Sequence, residues 1–192
     1  MKKKPNIFLA SSSPRRQAMF RFFNLDFKPL KVSFDETFLS SVPESICLEI
    51  CQKKMSASHD LLGEEVEKSI VVVADTLVFL NEQILGKPKD KDEAFKMLRL
   101  LSGKQHSVIT AVGYSNYGEI EFFHEKTLVK FVELSSEMIE NYLDRNDYHD
   151  KAGSYAIQSD HNFFVEKIVG SYTNVVGFPM ESFLQKCKGI SI

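Results

Sequence analysis

Two hydrophobic periods alternate along the chain, and together they predict an α/β fold. Ile7–Ala10 is a short apolar run that reads as a strand, and Ser13-Pro14 behind it offers an N-cap and a first-turn proline for a helix running to about Phe23. Met19, Phe22 and Phe23 are expected on that helix's buried face. Phe27–Ser33 alternates as a second strand, and Pro43-Glu44 opens a helix whose buried side carries Ile46, Ile50 and Met55. Ile70–Leu80 is the most apolar and β-branched stretch and reads as a central strand. Asp75-Thr76 interrupts it, and a strand end near Ala74 would set that pair at an edge beside a cleft.

Asp90–Leu101 is an amphipathic helix with Ala94, Met97, Leu98 and Leu101 on one face, closed by Gly103. Strands His106–Tyr114 and Glu119–Glu133 follow, joined by the turn Ser115–Gly118. Ser135 opens a helix carrying Met138, Ile139, Tyr142 and Leu143. Short strands are expected near Ser154–Ile157 and Phe163–Glu166, and a last helix over Pro179–Lys188. Helices interleaved with both close-turn and crossover-linked strands imply a mixed sheet. No repeat, low-complexity tract or linker divides the chain, so 1–192 is read as one domain.

Composition narrows the partners. Among 192 residues, 43% are hydrophobic and 26% charged, enough for a sizeable core, and the net charge of -2 argues against a nucleic-acid polymer as partner. A small anion remains compatible, because a pocket needs only a few local cations. Three cysteines do not suggest a disulfide framework and fit a reducing compartment. No segment reaches the roughly 20 apolar residues that span a bilayer, and the apolar run after Met1–Lys4 is too short for a signal peptide. The expectation is a soluble cytoplasmic protein with no membrane partner.

Several segments could carry chemistry. A carboxylate such as Asp75 inside an apolar strand must be paired, hydrogen-bonded or metal-bound; it is either functional or a bulge residue bonded to nearby backbone. Ser11–Arg16, between a strand and a helix, resembles a glycine-free phosphate cradle, with the alternative of a well-capped helix bearing two solvated arginines. Lys87, between Gly86 and Pro88, could contact phosphate or simply occupy a surface turn, and Lys53 and Lys54 could be solvated helix lysines. Asp35-Glu36 could join Asp75 around a hard divalent cation or form a polar loop. Cys47 and Cys51 lack a histidine at zinc-ligand spacing and suit a buried helix face. No G-x-S-x-G elbow supports covalent catalysis. Gln158, closing Asp150–Gln158, could read a base edge with one donor and one acceptor.

Taken in order, LASSSPRR (9–16), Asp35-Glu36, the helix with Lys54, VVADT (72–76), ILGKP (84–88), LLSGKQH (100–106), DKAGSYAIQ (150–158) and GSYTNVVGFP (170–179) resemble the Maf family of nucleoside triphosphate pyrophosphatases. The resemblance implies an elongated central mixed sheet flanked by helices, with two lobes and a cleft, similar to the inosine triphosphatase fold. It implies hydrolysis of a nucleoside triphosphate between its α and β phosphates, and a homodimer. Arg15, Thr76 and Gln158 resemble the branch acting on dTTP and UTP rather than the one acting on 7-methyl-GTP. Met55, Phe178 and the glycine-free loop 158–161 depart from the family's usual residues.

On that resemblance Ser11, Ser13, Arg15, Arg16, Lys54 and Lys87 are expected at the phosphates. Glu36 and Asp75 would hold Mg²⁺ or Mn²⁺, Asp75 would orient or deprotonate the attacking water, and Arg15, Thr76 and Gln158 would select the base. Two alternatives stand beside this: a nucleotide-binding regulator of septum formation or cell division that does not hydrolyse, and a house-cleaning pyrophosphatase for modified purine nucleotides.

Overall fold

The computed structural model describes residues 5–145, 148–158 and 163–190. In chain order its elements are β1 (Asn6–Ala10), α1 (Pro14–Phe22), β2 (Lys28–Pro29), α2 (Pro43–Leu62), β3 (Ser69–Leu80), β4 (Gln83–Leu85) and α3 (Lys91–Leu101). β5 (Gln105–Asn116), β6 (Glu119–Phe131), α4 (Ser136–Arg145), β7 (Val165–Val169), α5 (Tyr172–Val176) and α6 (Met180–Lys186) complete them, with short 3-10 segments at Gly63–Lys68 and Ala152–Ser154. The strands form one mixed sheet in the order β2-β1-β3-β5-β6-β7, with β4 beside β3. β1 runs parallel to β2 and β3, and the other pairs are antiparallel. This is the flanked mixed sheet that the patterning implied.

β3 organises the molecule because successive side chains on a strand point to opposite faces. Ile70, Val72 and Ala74 join a core with Phe20 of α1 and Phe183 of α6, while Val71 and Val73 pack against Ile50, Cys51 and Met55 of α2. Further along, Val78 and Leu80 enter a third core with Leu98 of α3 and Ile139 of α4. The first two cores make one lobe and the third makes the other, with β3 running through both.

One edge of β3 is interrupted between the lobes. β5 pairs with it continuously from Ile70 to Phe79, whereas β1 pairs only as far as Val73 and β4 begins only at Val78. The strand does not stop at Ala74. Its partner stops instead, and Asp75, Thr76 and Leu77 are the partly exposed positions of an otherwise buried strand.

Other expectations shift for local reasons. β2 is two residues rather than seven, because its partner β1 ends beside it and turns away at Ser11. Ser154–Ile157 is not a strand: Gly153 and Ser154 take left-handed backbone (φ 70° and 65°), and the Ala156 N–H donates to the Tyr142 hydroxyl instead of a ladder. The strand expected at Phe163–Glu166 lies at Val165–Val169. On α1 the buried residues are Arg16 and Phe20, four apart, so Phe22 points outward at 81% exposure. β4 and α5 are too short to leave a periodic signal. Most of the glycine-free loop 158–161 falls in 159–162, outside the described residues.

Candidate active site

A cavity of about 720 Å³ opens at the interrupted edge of β3. That volume is in the range of small-molecule sites. The ten side chains that the family resemblance assigns to the site line it: Ser11, Ser13, Arg15, Arg16, Glu36, Lys54, Asp75, Thr76, Lys87 and Gln158. Lys31, Asp150 and Lys151 line it too, giving six cationic against three anionic side chains. The lining therefore carries an excess of three positive charges in a chain whose net charge is -2.

Strand alternation places the central pair. Asp75 faces α2, where Lys54 Nζ donates to its Oδ1 at 3.0 Å and to the Ala74 carbonyl at 2.9 Å. The Lys54 ammonium also lies 5.2 Å from the centroid of the Phe34 ring. Thr76 faces α1, where Arg16 Nη2 donates to its hydroxyl at 2.9 Å. Arg16 further donates through Nε to the Gly177 carbonyl (2.7 Å) and through Nη1 to Ser11 Oγ (3.2 Å). Three of its five N–H groups are thus committed to protein acceptors. Burial pulls Arg16 below the ordinary arginine value, opposed by the charge of Asp75. Behind Thr76, Thr110 Oγ1 lies 2.9 Å away, and Thr110 in turn bonds the Asn174 carbonyl of α5.

The loop between β1 and α1 is held by its own serines. Ser13 caps α1 at the Arg16 N–H, and Ser11 Oγ accepts from the Ser13 N–H at 3.2 Å. Each hydroxyl contributes lone pairs to these bonds and keeps a proton to donate. An anion at the first turn of α1 would also meet the free N–H groups of the helix end.

The opposite wall is made of loops. Arg15 donates to the Asp150 carboxylate (2.9 Å) and to the Asp150 carbonyl (3.1 Å), and Lys151 bonds the same carboxylate at 2.6 Å. Burial raises the Asp150 carboxyl, but the Lys151 hydrogen bond and the Arg15 charge outweigh it and hold the group below its usual range. The Gly153 N–H donates to the Gly86 carbonyl at 3.1 Å, coupling the Lys87 turn to this loop. Tyr155 anchors it below through a 2.8 Å contact between its hydroxyl and buried His106 Nε2. Burial pushes His106 down to about 4, so the imidazole is neutral at pH 7. Gln158 and Lys87 are exposed at the cavity lining.

Asp35 does not share the site with Glu36. Its carboxylate accepts from the Thr37 N–H and hydroxyl, with Lys53 at 3.8 Å, and the Thr37 hydrogen bonds draw its carboxyl below the usual range. Cys47 and Cys51 are buried against β3 and β5, and burial raises both thiols, Cys51 to about 12. Lys31, Asp150 and the Gly177 carbonyl were not singled out from the sequence. Asp150 and Gly177 lay inside motifs already quoted, whereas Lys31 has no local signal.

The family model described as Maf-like protein matches residues 6–190. A dTTP/UTP pyrophosphatase of Thermosipho africanus (strain TCF52B) is 42% identical over 175 residues, covering 91% of this chain and 87% of that one. One of Pyrococcus abyssi (strain GE5 / Orsay) is 42% identical over 183 residues, 95% of each. One of Bacillus cereus (strain G9842) is 39% identical over 187 residues, 97% of this chain and 96% of that one.

Proposed function

The chain belongs to the Maf family, and on that basis we propose that it hydrolyses dTTP and UTP between the α and β phosphates, releasing the nucleoside monophosphate and pyrophosphate. The observation that carries this reading is the interrupted edge of β3, where Asp75 and Thr76 meet opposite partners inside a cavity with excess positive charge. The relatives named dTTP/UTP pyrophosphatase, at about 40% identity over nearly the whole chain, support the substrate class.

A triphosphate carries about four negative charges, so binding and catalysis rest on positioning and electrostatic stabilisation. The Ser11 and Ser13 hydroxyls, the first turn of α1 and Lys87 hold the phosphates. Arg16 keeps the Ser11 loop and Thr76 in fixed relation and turns its remaining N–H groups to the substrate. Lys54 occupies Asp75 Oδ1 and so sets the direction of Oδ2 toward the attacking water. Water attacks the α phosphorus, the bond from that phosphorus to the bridging oxygen breaks, pyrophosphate leaves with the electron pair, and the water's proton passes to Asp75 or solvent. Arg15, Thr76 and Gln158 shape the end of the cavity that selects the base.

The donor set suits a divalent cation completed by substrate. Arg15 and Lys151 take both oxygens of Asp150, whereas Lys54 takes only Oδ1 of Asp75, which leaves Asp75 Oδ2 and Glu36 as carboxylate donors for Mg²⁺ or Mn²⁺. Among the described residues no group of three or more His, Cys, Asp or Glu side chains gathers; Mg²⁺ held here would take one or two carboxylates and complete its shell with waters and phosphate oxygens. Such an ion would neutralise charge on the leaving pyrophosphate and lower the pKa of the attacking water.

The three free, buried cysteines accord with the reducing cytoplasm as the working compartment, and a homodimer is the assembly the family resemblance implies. Among the described residues no helix is long and apolar enough to cross a membrane. A panel of nucleoside triphosphates assayed for pyrophosphate release with Mg²⁺ tests the reading. UTP and dTTP should be the best substrates. Tight binding without release would favour a regulator, and preference for modified purine nucleotides would move the substrate class.

A further inference from the structure

The charged groups of the cavity do not all stand in the same condition. Lys54 is paired with Asp75, and Arg15 with Asp150. Lys31 and Lys87, by contrast, line the cavity, are exposed, and have no carboxylate within ion-pair distance among the described residues. The mechanism above uses Lys87 and leaves Lys31 without a role.

The backbone beneath Lys31 is fixed. The Leu9 carbonyl, near the end of β1, accepts from both the Ser11 N–H and the Leu30 N–H at 2.9 Å. One acceptor therefore ties the start of the serine loop to the residue before Lys31. Leu30, Val32 and Phe34 on either side pack onto the α2 core, and Phe34 is further held against the Lys54 ammonium. Lys31 follows the anchored Leu30 directly and lines the cavity. A cation on a pinned backbone beside the serine loop needs less ordering to meet an anion there than one on a free loop.

We propose that Lys31 is a further substrate-binding residue, whose ammonium takes the terminal phosphates that leave as pyrophosphate. Its segment is tied to the serine loop through the Leu9 carbonyl, whereas Gln158 stands on the loop wall, so the triphosphate end of the ligand is the end Lys31 meets. The assignment rests on the pyrophosphatase reading for the name of the substrate, but its charge chemistry applies to any polyphosphate in the cavity.

The experiment measures UTP hydrolysis and, separately, calorimetric binding of inorganic pyrophosphate with Mg²⁺, for wild type, Lys31→Ala, Lys31→Arg and the control Lys53→Ala, which removes the same charge outside the cavity. Lys31→Ala should raise KM for UTP and Kd for pyrophosphate by about five- to tenfold, with a smaller effect on kcat. The difference should shrink as salt rises, Lys31→Arg should restore most of it, and Lys53→Ala should resemble wild type. A Lys31→Ala protein with wild-type KM and wild-type pyrophosphate affinity would overturn the proposal, as would an equal effect of Lys53→Ala. If wild type releases no pyrophosphate from any triphosphate, the functional reading fails, and the pyrophosphate titration still decides the role of Lys31.

Discussion

On the α1–β3–α2 side of the cavity Arg16, Lys54, Asp75 and Thr76 rise from regular elements, whereas on the side of Gly86–Lys87 and Asp150–Gln158 the polar side chains rise from loops. The first side is densely bonded: Arg16 alone joins α1, the serine loop, β3 and Gly177, and Lys54 joins α2 to β3 twice. The ties of the second side include Arg15–Asp150, Lys151–Asp150, Gly153–Gly86, Ser154–Met97, Tyr155–His106 and Ala156–Tyr142. A reacting atom must be held within a fraction of an ångström, which strands and helices do better than loops. Loops can adapt around the part of a ligand that varies. On the proposed function the contrast would put bond breaking on the first wall and discrimination on the second, and each variant below tests one side of that division.

The largest effect is expected at Asp75. Asp75→Asn keeps the side-chain shape and an oxygen for Lys54, but removes the charge that, on the proposed function, orders water and binds a cation. Turnover of UTP should fall by about 10²-fold or more, with urea unfolding close to wild type. Substantial residual hydrolysis would take Asp75 out of the reaction.

Next come the two arginines, adjacent on α1 but bonded differently, Arg16 within the regular wall and Arg15 across to Asp150 of the loop wall. Arg16→Met would take a charged donor from the Gly177 carbonyl, Thr76 and Ser11 in a buried setting. It would leave them only neutral partners, Thr76 for the carbonyl, Thr110 for Thr76 and the Ser13 N–H for Ser11, a loss of roughly 2–4 kcal/mol of stability. Arg15→Met would break a pair whose Asp150 side is 42% exposed, and exposed pairs are worth about 1 kcal/mol or less. Paired urea denaturation curves decide the matter, and equal losses would dissolve the distinction between a framework arginine and a rim arginine.

The support of the loop wall has a pH signature. His106 sits at about 4 because burial disfavours its charge, against an ordinary 6.5. Between those values the unfolded chain binds a proton that the folded chain does not, so stability is whole above about pH 6.5, declines as pH falls, and levels off below about 4. The linkage amounts to about 3 kcal/mol at most. His106→Gln should flatten this part of the curve relative to wild type. Parallel losses for the two proteins between pH 7 and 4.5 would show that His106 does not set the slope.

The regular wall was the more legible of the two in sequence. The continuous apolar, β-branched run Ile70–Leu80 carries the strand, and the alternation of any strand then sends Asp75 to α2 and Thr76 to α1. What the pattern misread was the cause of exposure at Asp75: the neighbouring strand ends, not this one, and strand pairing is non-local. Phe22 was misread similarly, since an arginine bonded to a distant carbonyl holds the inward face of α1. On the loop wall Ser154–Ile157 resembled a strand because Tyr155 and Ala156 are buried, but side chains rather than a ladder satisfy that segment. Lys31 was invisible because its place depends on a carbonyl 22 residues earlier.

The smallest effect is expected at Gln158, and it tests the loop wall most directly. Gln158 is exposed at the cavity lining, where its amide can offer a donor and an acceptor to a base edge. A single neutral hydrogen bond is worth about 0.5–1.5 kcal/mol, so Gln158→Ala should lower kcat/KM for UTP about three- to tenfold. Purine triphosphates, which would not use that bond, should lose less, and the ranking of UTP and dTTP against them should narrow. Lys87→Ala, acting on phosphate, should instead weaken all triphosphates together. If Gln158→Ala lowers every triphosphate equally, the side chain supports the loop rather than reading the base. Discrimination would then have to come from the firmer side, where Thr76 is held by Arg16 and Thr110.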